Sequence, residues 1–336
     1  MKGLKIKRYW VWLFIAISSV ATILILRNIP PGLFVKGMKT IKPLGFIGAI
    51  CAVVLMWVAD AMRIKVLARA TSSHIGMLTA LRIVWGGLLF SGITPFEFGG
   101  GAYQVIMMHS KGLNSARGTA IITVKALFAM MVLLIMAPVV GHLYPGYLSH
   151  SALKYVMVVT CTLMSGTTVV MLVSGIKPSI IIELGCSILT LISRAHIIRP
   201  GTKDRFETAW SNWAVKCHAS FVTIFKKGNG VYMLLAIAYT VVFLLAQFSV
   251  APLMLIGAGV KANVPELILL QVPLTVLLYF IPTPGSSGVA EGGFYAIFAL
   301  YAPSSLIGIL TLMWRFFTFY LGMIMGVIST VPVRAE

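Results

Sequence analysis

The chain holds 336 residues, of which 59% are hydrophobic and only 10% charged. Soluble domains carry about 25% charged residues, so most of this chain cannot face water and a soluble enzyme is excluded. Lys and Arg outnumber Asp and Glu by 27 to 8. The bases fall in short segments beside apolar runs, which points to membrane headgroups and away from nucleic acid.

Residues 1–8 carry Lys2, Lys5, Lys7 and Arg8 and lead into an apolar run over 9–26. That run ends at Arg27-Asn28-Ile29-Pro30 with no small-residue cleavage site, so it reads as a retained first helix. A spanning helix needs about 20 apolar residues. The runs 44–62, 118–140, 153–174, 231–256 and 305–330 meet that need, giving six spans with the first. Three shorter apolar stretches, 75–93, 180–192 and 265–281, are less regular, and two run into Thr-Pro and clustered glycines. Proline lacks the amide donor and glycine favours turns, so a regular helix cannot pass through either site.

The basic residues set an orientation. Lys2 to Arg8 hold the N-terminus in the cytoplasm, and Arg63, Lys65 and Arg69 bring the chain back there. Lys111 and Arg117 share that side, so 75–110 is expected to be a re-entrant hairpin broken near Thr94-Pro95. The stretch 265–303 is expected to be a second hairpin of opposite orientation, and the C-terminal tail is cytoplasmic. Arg27, Lys36, Lys39 and Lys42 conflict with this: either 27–42 lies on the membrane surface, or the N-terminal half is oriented otherwise.

The polar segment 193–229 is expected to be cytoplasmic and interfacial. Asp204 with Glu207 resembles a capping box. Phe206, Trp210, Trp213, Cys217, Phe221 and Phe225 then recur at helical spacing, with Lys203, Arg205 and Lys216 nearby. Such a stripe suits a helix in the membrane interface or one packed against other helices of the chain. The four cysteines form no CxxC pair, and neither a disulfide framework nor a zinc site is expected.

An internal repeat organises the rest. Ile93-Thr94-Pro95-Phe96-Glu97-Phe98-Gly99-Gly100-Gly101-Ala102-Tyr103 parallels Pro282-Thr283-Pro284-Gly285-Ser286-Ser287-Gly288-Val289-Ala290-Glu291-Gly292-Gly293-Phe294-Tyr295. Both hold Thr-Pro, a glycine cluster, one glutamate and a Gly-Gly-x-Tyr ending. Each is followed by a helix with one intramembrane base: Lys125 lies 31 residues after Thr94, and Arg315 lies 32 after Thr283. Repeat one is set at about 43–141 and repeat two at about 231–330, within a single membrane domain over 1–336. Helix–broken hairpin–helix copies of opposite orientation are a signature of secondary transporters, where each copy gates one side of a shared site.

Ionised side chains deep in a bilayer cost a few kcal/mol or more unless paired or wetted. Lys125, Arg315 and Arg82 would attract a phosphate, with half-helix N-termini adding donors. Glu97 and Glu291 would balance those bases or hold an amine. The competing reading is structural: fixed pairs Glu97–Lys125 and Glu291–Arg315 that only hold each hairpin. Asp60, three residues before Arg63, is read as a helix-end pair. The hairpin breaks are assigned to Thr94, Pro95, Gly99, Gly100 and Gly101, and to Thr283, Pro284, Gly285 and Gly288. No HExxH, nucleophile elbow, P-loop or GxGxxG is found, and no metal or cofactor is expected.

Pro282-Thr283-Pro284-Gly285, Gly288-Val289-Ala290-Glu291 and the later Arg315 together resemble a known C-terminal signature. It is that of the flippase-like membrane domain of lysylphosphatidylglycerol synthetases and their stand-alone relatives. Ser286 departs from the family's usual second glycine, Gln104 stands where an arginine is often found, and Lys125 replaces an arginine. The resemblance implies lipid translocation between leaflets of the plasma membrane, with an anionic or aminoacylated phospholipid as partner. Aminoacyl transfer is not expected, and self-association into a homo-oligomer stays open. The resulting expectation is an all-α polytopic protein acting as a lipid flippase. Two alternatives stand beside it: a membrane-embedded headgroup enzyme, and a non-transporting subunit that recruits a cytoplasmic enzyme through 193–229.

Overall fold

The computed structural model describes residues 42–143, 151–194, 200–260 and 263–330. Among the described residues all regular structure is helical, as an all-α polytopic protein requires. Five helices are long and apolar enough to cross a membrane, over 43–70, 115–140, 157–176, 227–257 and 306–330. They correspond to five of the six expected spans; the sixth, 9–26, and the ambiguous segment 27–42, apart from Lys42, lie outside the described residues.

In chain order, α1 covers Pro43–Ala70, α2 Met77–Gly92, α3 Phe98–Ser110 and α4 Ser115–Leu143. Then come α5 (Ser151–Ile176), α6 (Pro178–Arg194), α7 (Pro200–Ile224) and α8 (Gly230–Gly257). The last part holds α9 (Val264–Leu269), α10 (Gln271–Leu278), α11 (Val289–Phe298), α12 (Ser304–Arg315) and α13 (Leu321–Thr330). Short 3₁₀ turns at Pro95–Glu97 and Pro284–Ser286 separate α2 from α3 and follow α10, and a π turn over Phe316–Tyr320 joins α12 to α13.

The antiparallel pair α1 and α8 forms the spine of the bundle. Their ends are tied at both extremes: Lys42 N donates to Gly257 O at 2.7 Å, and Asn229 Nδ2 donates to Ala70 O at 2.8 Å. At 28 residues, each is about 42 Å long, more than the roughly 30 Å of hydrocarbon in a bilayer. Small residues bring the backbones together. A Cβ on Gly45 would lie 2.5 Å from Gly257 Cα and 2.8 Å from Leu253 O. Around this spine, Ile64, Leu67, Met254, Leu255, Phe294, Phe298 and Phe317 fill one continuous core.

Both Thr-Pro sites are helix–break–helix hairpins. The first, α2–α3, opens at the end where Ala70 meets Asn229, since Arg117 at the start of α4 donates to Ser73 Oγ at 2.9 Å. The second, from α9 to α11, opens at the other end, where Tyr301 donates to Glu266 Oε1 at 2.6 Å. Their tips pack against each other; the second is buried, while the first keeps Phe96 exposed.

Helix α7 begins at Pro200, a favoured first helical position, so Asp204 and Glu207 lie inside the helix and do not cap it. Its aromatic stripe packs on the chain itself. Trp210 Nε1 donates to Ile181 O at 3.0 Å, His218 Nδ1 lies 2.8 Å from Gly175 O, and Cys217 and Phe221 are buried. Phe206 and Phe225 at the ends of the stripe stay exposed.

Two outcomes are expected. Gly45→Leu forces apart the α1–α8 backbones, and overpacking of this kind costs about 1–3 kcal/mol; a lower melting temperature in detergent than for the wild type checks it. Burial pushes the Cys217 thiol up to about 12, so little thiolate exists at neutral pH. Maleimide should therefore modify Cys217 only after denaturation, as read by intact mass.

Candidate functional site

At each hairpin tip, side chains satisfy backbone groups that the break frees. At the first, Thr94 Oγ1 donates to Phe90 O at 2.7 Å and accepts from Gly99 N at 2.9 Å, and Ser91 Oγ donates to Glu97 O at 3.2 Å. Phe96 and Glu97 take positive φ, 52° and 56°. Left-handed backbone costs roughly 1–2 kcal/mol per non-glycine residue. The break therefore lies at Pro95–Glu97, and Gly99, Gly100 and Gly101 are corrected to the first turn of α3. There Gly99 and Gly100 allow α3 to lie close against α2: a Cβ on Gly99 would meet Thr94 Cγ2 at 2.6 Å, and one on Gly100 would meet Gly87 O at 2.8 Å.

The second tip repeats the geometry. Gly285 and Ser286 follow Thr283-Pro284 with φ of 58° and 53°, and Gly288 has φ of 88°. Thr283 Oγ1 donates to Ser287 O at 3.1 Å. Glu291, in the first turn of α11, accepts from Gly288 N at 2.7 Å, an anion at a helix N-terminus. Arg315 reaches this tip from α12: its Nε lies 2.9 Å from Glu291 Oε1, an Nη2 proton goes to Gly285 O, and its guanidinium sits 3.9 Å over the Phe319 ring. The Nε–H does not point along the line to the oxygen, so the pair is held by charge more than by a directed hydrogen bond.

A second cluster lies beside the first hairpin. Asp60 is ion-paired to Arg63 at 2.9 Å and to Lys125 at 3.0 Å. Lys125 also donates to Gln104 Oε1 at 3.2 Å, and Arg63 Nη2 donates to Lys125 O at 2.6 Å. Asp60 is therefore not a helix-end residue. Helix α1 runs on to Ala70, because Ile64, Val66 and Leu67 continue its buried face, and this sets Asp60 and Arg63 inside the protein. Lys125 pairs with Asp60 and not with Glu97.

Between the two clusters lies a cavity of about 190 Å³. Asp60, Glu97 and Arg315 supply its ionisable groups; Ser91, Gln247, Gln271, Thr275 and Tyr279 supply further polar groups; Trp57, Phe243, Trp314 and Phe319 supply aromatic walls. Of the residues singled out from sequence, Glu97 and Arg315 reach the cavity wall, Glu291 stands behind Arg315, and Lys125 stands behind Asp60. Arg82 is on the exposed side of α2 and does not line the cavity. Sequence reasoning missed Asp60, Arg63 and Gln247 as members of the site. The available signal was an acid in an apolar run whose hydrophobic pattern continues past the following base.

Removing the shared acid should be costly. Asp60→Asn leaves Arg63 and Lys125 buried without a counter-charge, a loss of about 3–5 kcal/mol. Lys125→Met keeps the Asp60–Arg63 pair and should cost less. Thermal unfolding of the two variants in one detergent checks the order.

Comparison with known proteins agrees with this architecture. Residues 11–326 match the family described as lysylphosphatidylglycerol synthase TM region. The chain is also similar to a UPF0104 membrane protein of Archaeoglobus fulgidus, 21% identical over 319 residues that cover 94% of each chain.

Proposed function

The chain belongs to the lysylphosphatidylglycerol synthase TM region family, and from that premise we propose that it is a lipid translocator of the plasma membrane. It moves a phospholipid or a polyprenyl-phosphate-type lipid between leaflets, and it carries out no covalent chemistry on its cargo. One observation supports this reading above the others: two broken hairpins enter the bundle from opposite ends and meet at their tips, and the two together border a cavity with charges of both signs.

In this reading the hairpins are re-entrant and form the halves of an inverted repeat, each controlling access from one side. A headgroup enters the cavity while the acyl chains stay outside against apolar residues such as Leu55, Ile135, Val170 and Leu234, which are exposed on the bundle. Arg315 is the base on the cavity wall that meets a lipid phosphate. Lys125 becomes available only when its pair with Asp60 opens. Lys65, Arg69, Lys111, Arg117, Lys226 and Lys227 gather at the end where the first hairpin opens. By the positive-inside rule that end is cytoplasmic, and it concentrates anionic headgroups at the entrance.

Leaflet exchange of fluorescent phospholipids in proteoliposomes tests the proposal. Arg315→Ala and Glu291→Gln should slow exchange by on the order of tenfold, the change that about 1.4 kcal/mol at a barrier produces. Unchanged exchange in both variants, with normal elution from size exclusion, would reject the site.

A further inference from the structure

Charge accounting divides the site unevenly. Around Asp60 one acid serves two bases, Arg63 and Lys125, so that cluster carries one excess positive charge. Around Arg315 one base faces two acids. Glu291 takes the ion pair, and Glu97 has no ion pair among the described residues. Ionised Glu97 must share Arg315 with Glu291 and has no counter-ion of its own in a half-buried, aromatic-walled cavity, which is costly; its neutral acid is not.

Hydrogen-bond accounting offers that neutral form an acceptor. Ser286 Oγ lies 2.9 Å from Leu278 O and 3.4 Å from Glu97 Oε1. A hydroxyl has one proton to give, and a carbonyl can only accept. The shorter contact takes the serine proton, so a hydrogen bond between Glu97 and Ser286 needs its proton from Glu97. Closing the 3.4 Å gap to hydrogen-bond length, neutral Glu97 would complete a chain in which Glu97 donates to Ser286 Oγ, which donates to Leu278 O. The chain runs from the tip of the first hairpin to the tip of the second. Glu97 and Ser286 are also equivalent positions, separated by the same 189 residues as Thr94 and Thr283.

We propose that Glu97 is a proton-binding site whose occupancy fastens the two hairpin tips together, so that proton uptake and release accompany opening of the cavity. Uptake forms an O–H bond on the Glu97 carboxyl with a proton from water; release returns it to water and leaves a carboxylate that can no longer donate to Ser286. The other charged or titratable groups facing Glu97 are Asp60 from α1, Tyr279 from the second hairpin and Arg315 from α12, with Glu291 behind Arg315 and Arg63 and Lys125 behind Asp60. All except Tyr279 are committed to ion pairs; α2 and α8 bring only neutral side chains to the wall. The coupling to lipid movement rests on the translocation reading above, while the proton site does not.

Infrared difference spectra of the reconstituted protein between acid and alkaline pH, together with lipid exchange under an imposed pH gradient, test both parts. A protonated carboxyl band should titrate in the wild type, vanish in Glu97→Gln and shift in frequency in Ser286→Ala, which removes the acceptor. A gradient should speed wild-type exchange severalfold and leave Glu97→Gln exchange unchanged. A titrating band that persists in Glu97→Gln, or one unmoved in Ser286→Ala, overturns the site, as does the absence of any band. Exchange indifferent to the gradient overturns the coupling. Exchange without the band rejects the proton site alone; the band without exchange of any lipid rejects the translocation reading alone. Should Glu97→Gln not fold, the Ser286→Ala frequency shift decides the site.

Discussion

Two helices break where the hairpin tips meet, and the backbone groups freed there must find partners within the protein. That constraint orders the rest of the structure. Thr94 and Ser91 satisfy the first break from within its own hairpin. The second break draws on a neighbour, because Arg315 comes from α12 to reach Gly285 O. Bringing a guanidinium to that carbonyl buries a positive charge, which Glu291 then balances while also accepting from Gly288 N at the cap of α11. A single carboxylate thus serves a helix end and an ion pair, so the charge at the tip and the hairpin's geometry cannot be changed separately.

The spine makes such a centre possible. With α1 and α8 in backbone contact near Gly45 and Gly257, these two long helices take up little cross-section and leave room for the hairpin tips between their neighbours. The same helices carry the polar groups of the cavity's opposite wall, Asp60 on α1 and Gln247 on α8. Asp60 is held from two directions, by a base on its own helix and by one on α4, which fixes the hairpin-bearing part of the bundle against the spine.

Much of this was legible in the sequence. Runs of about 20 apolar residues mark spans because hydrocarbon thickness sets their length. Thr-Pro followed by glycines marks breaks because the backbone there cannot stay helical. The Glu291–Arg315 pair was readable as one of two options, since an acid and a base each stood alone in apolar surroundings. Asp60 was misread because its own base, Arg63, made it look like a helix terminus, although the apolar pattern of α1 runs on past it; that Lys125 is aimed at it only tertiary packing reveals. The glycines at 99–101 were misread for a related reason. Glycine signals either a turn or a close approach, and here the strained turn fell on Phe96 and Glu97 while Gly99 and Gly100 served the contact with α2. Arg82 shows the limit of linear reading: a base inside an apolar run can still point outward.

The π turn at Phe316–Tyr320 has a consequence for how one helix meets two demands. A wide turn adds a residue, which rotates everything beyond it by about 100° relative to an uninterrupted α-helix. Before the turn, the helix directs Arg315 toward the second hairpin. After it, Gly322 and Gly326 face α2, where a Cβ would meet Leu88 Cδ1 at 2.6 Å and Trp85 O at 2.5 Å. The irregular turn acts as a phase shifter: it lets the polar face and the tight-packing face of one transmembrane rod be set independently.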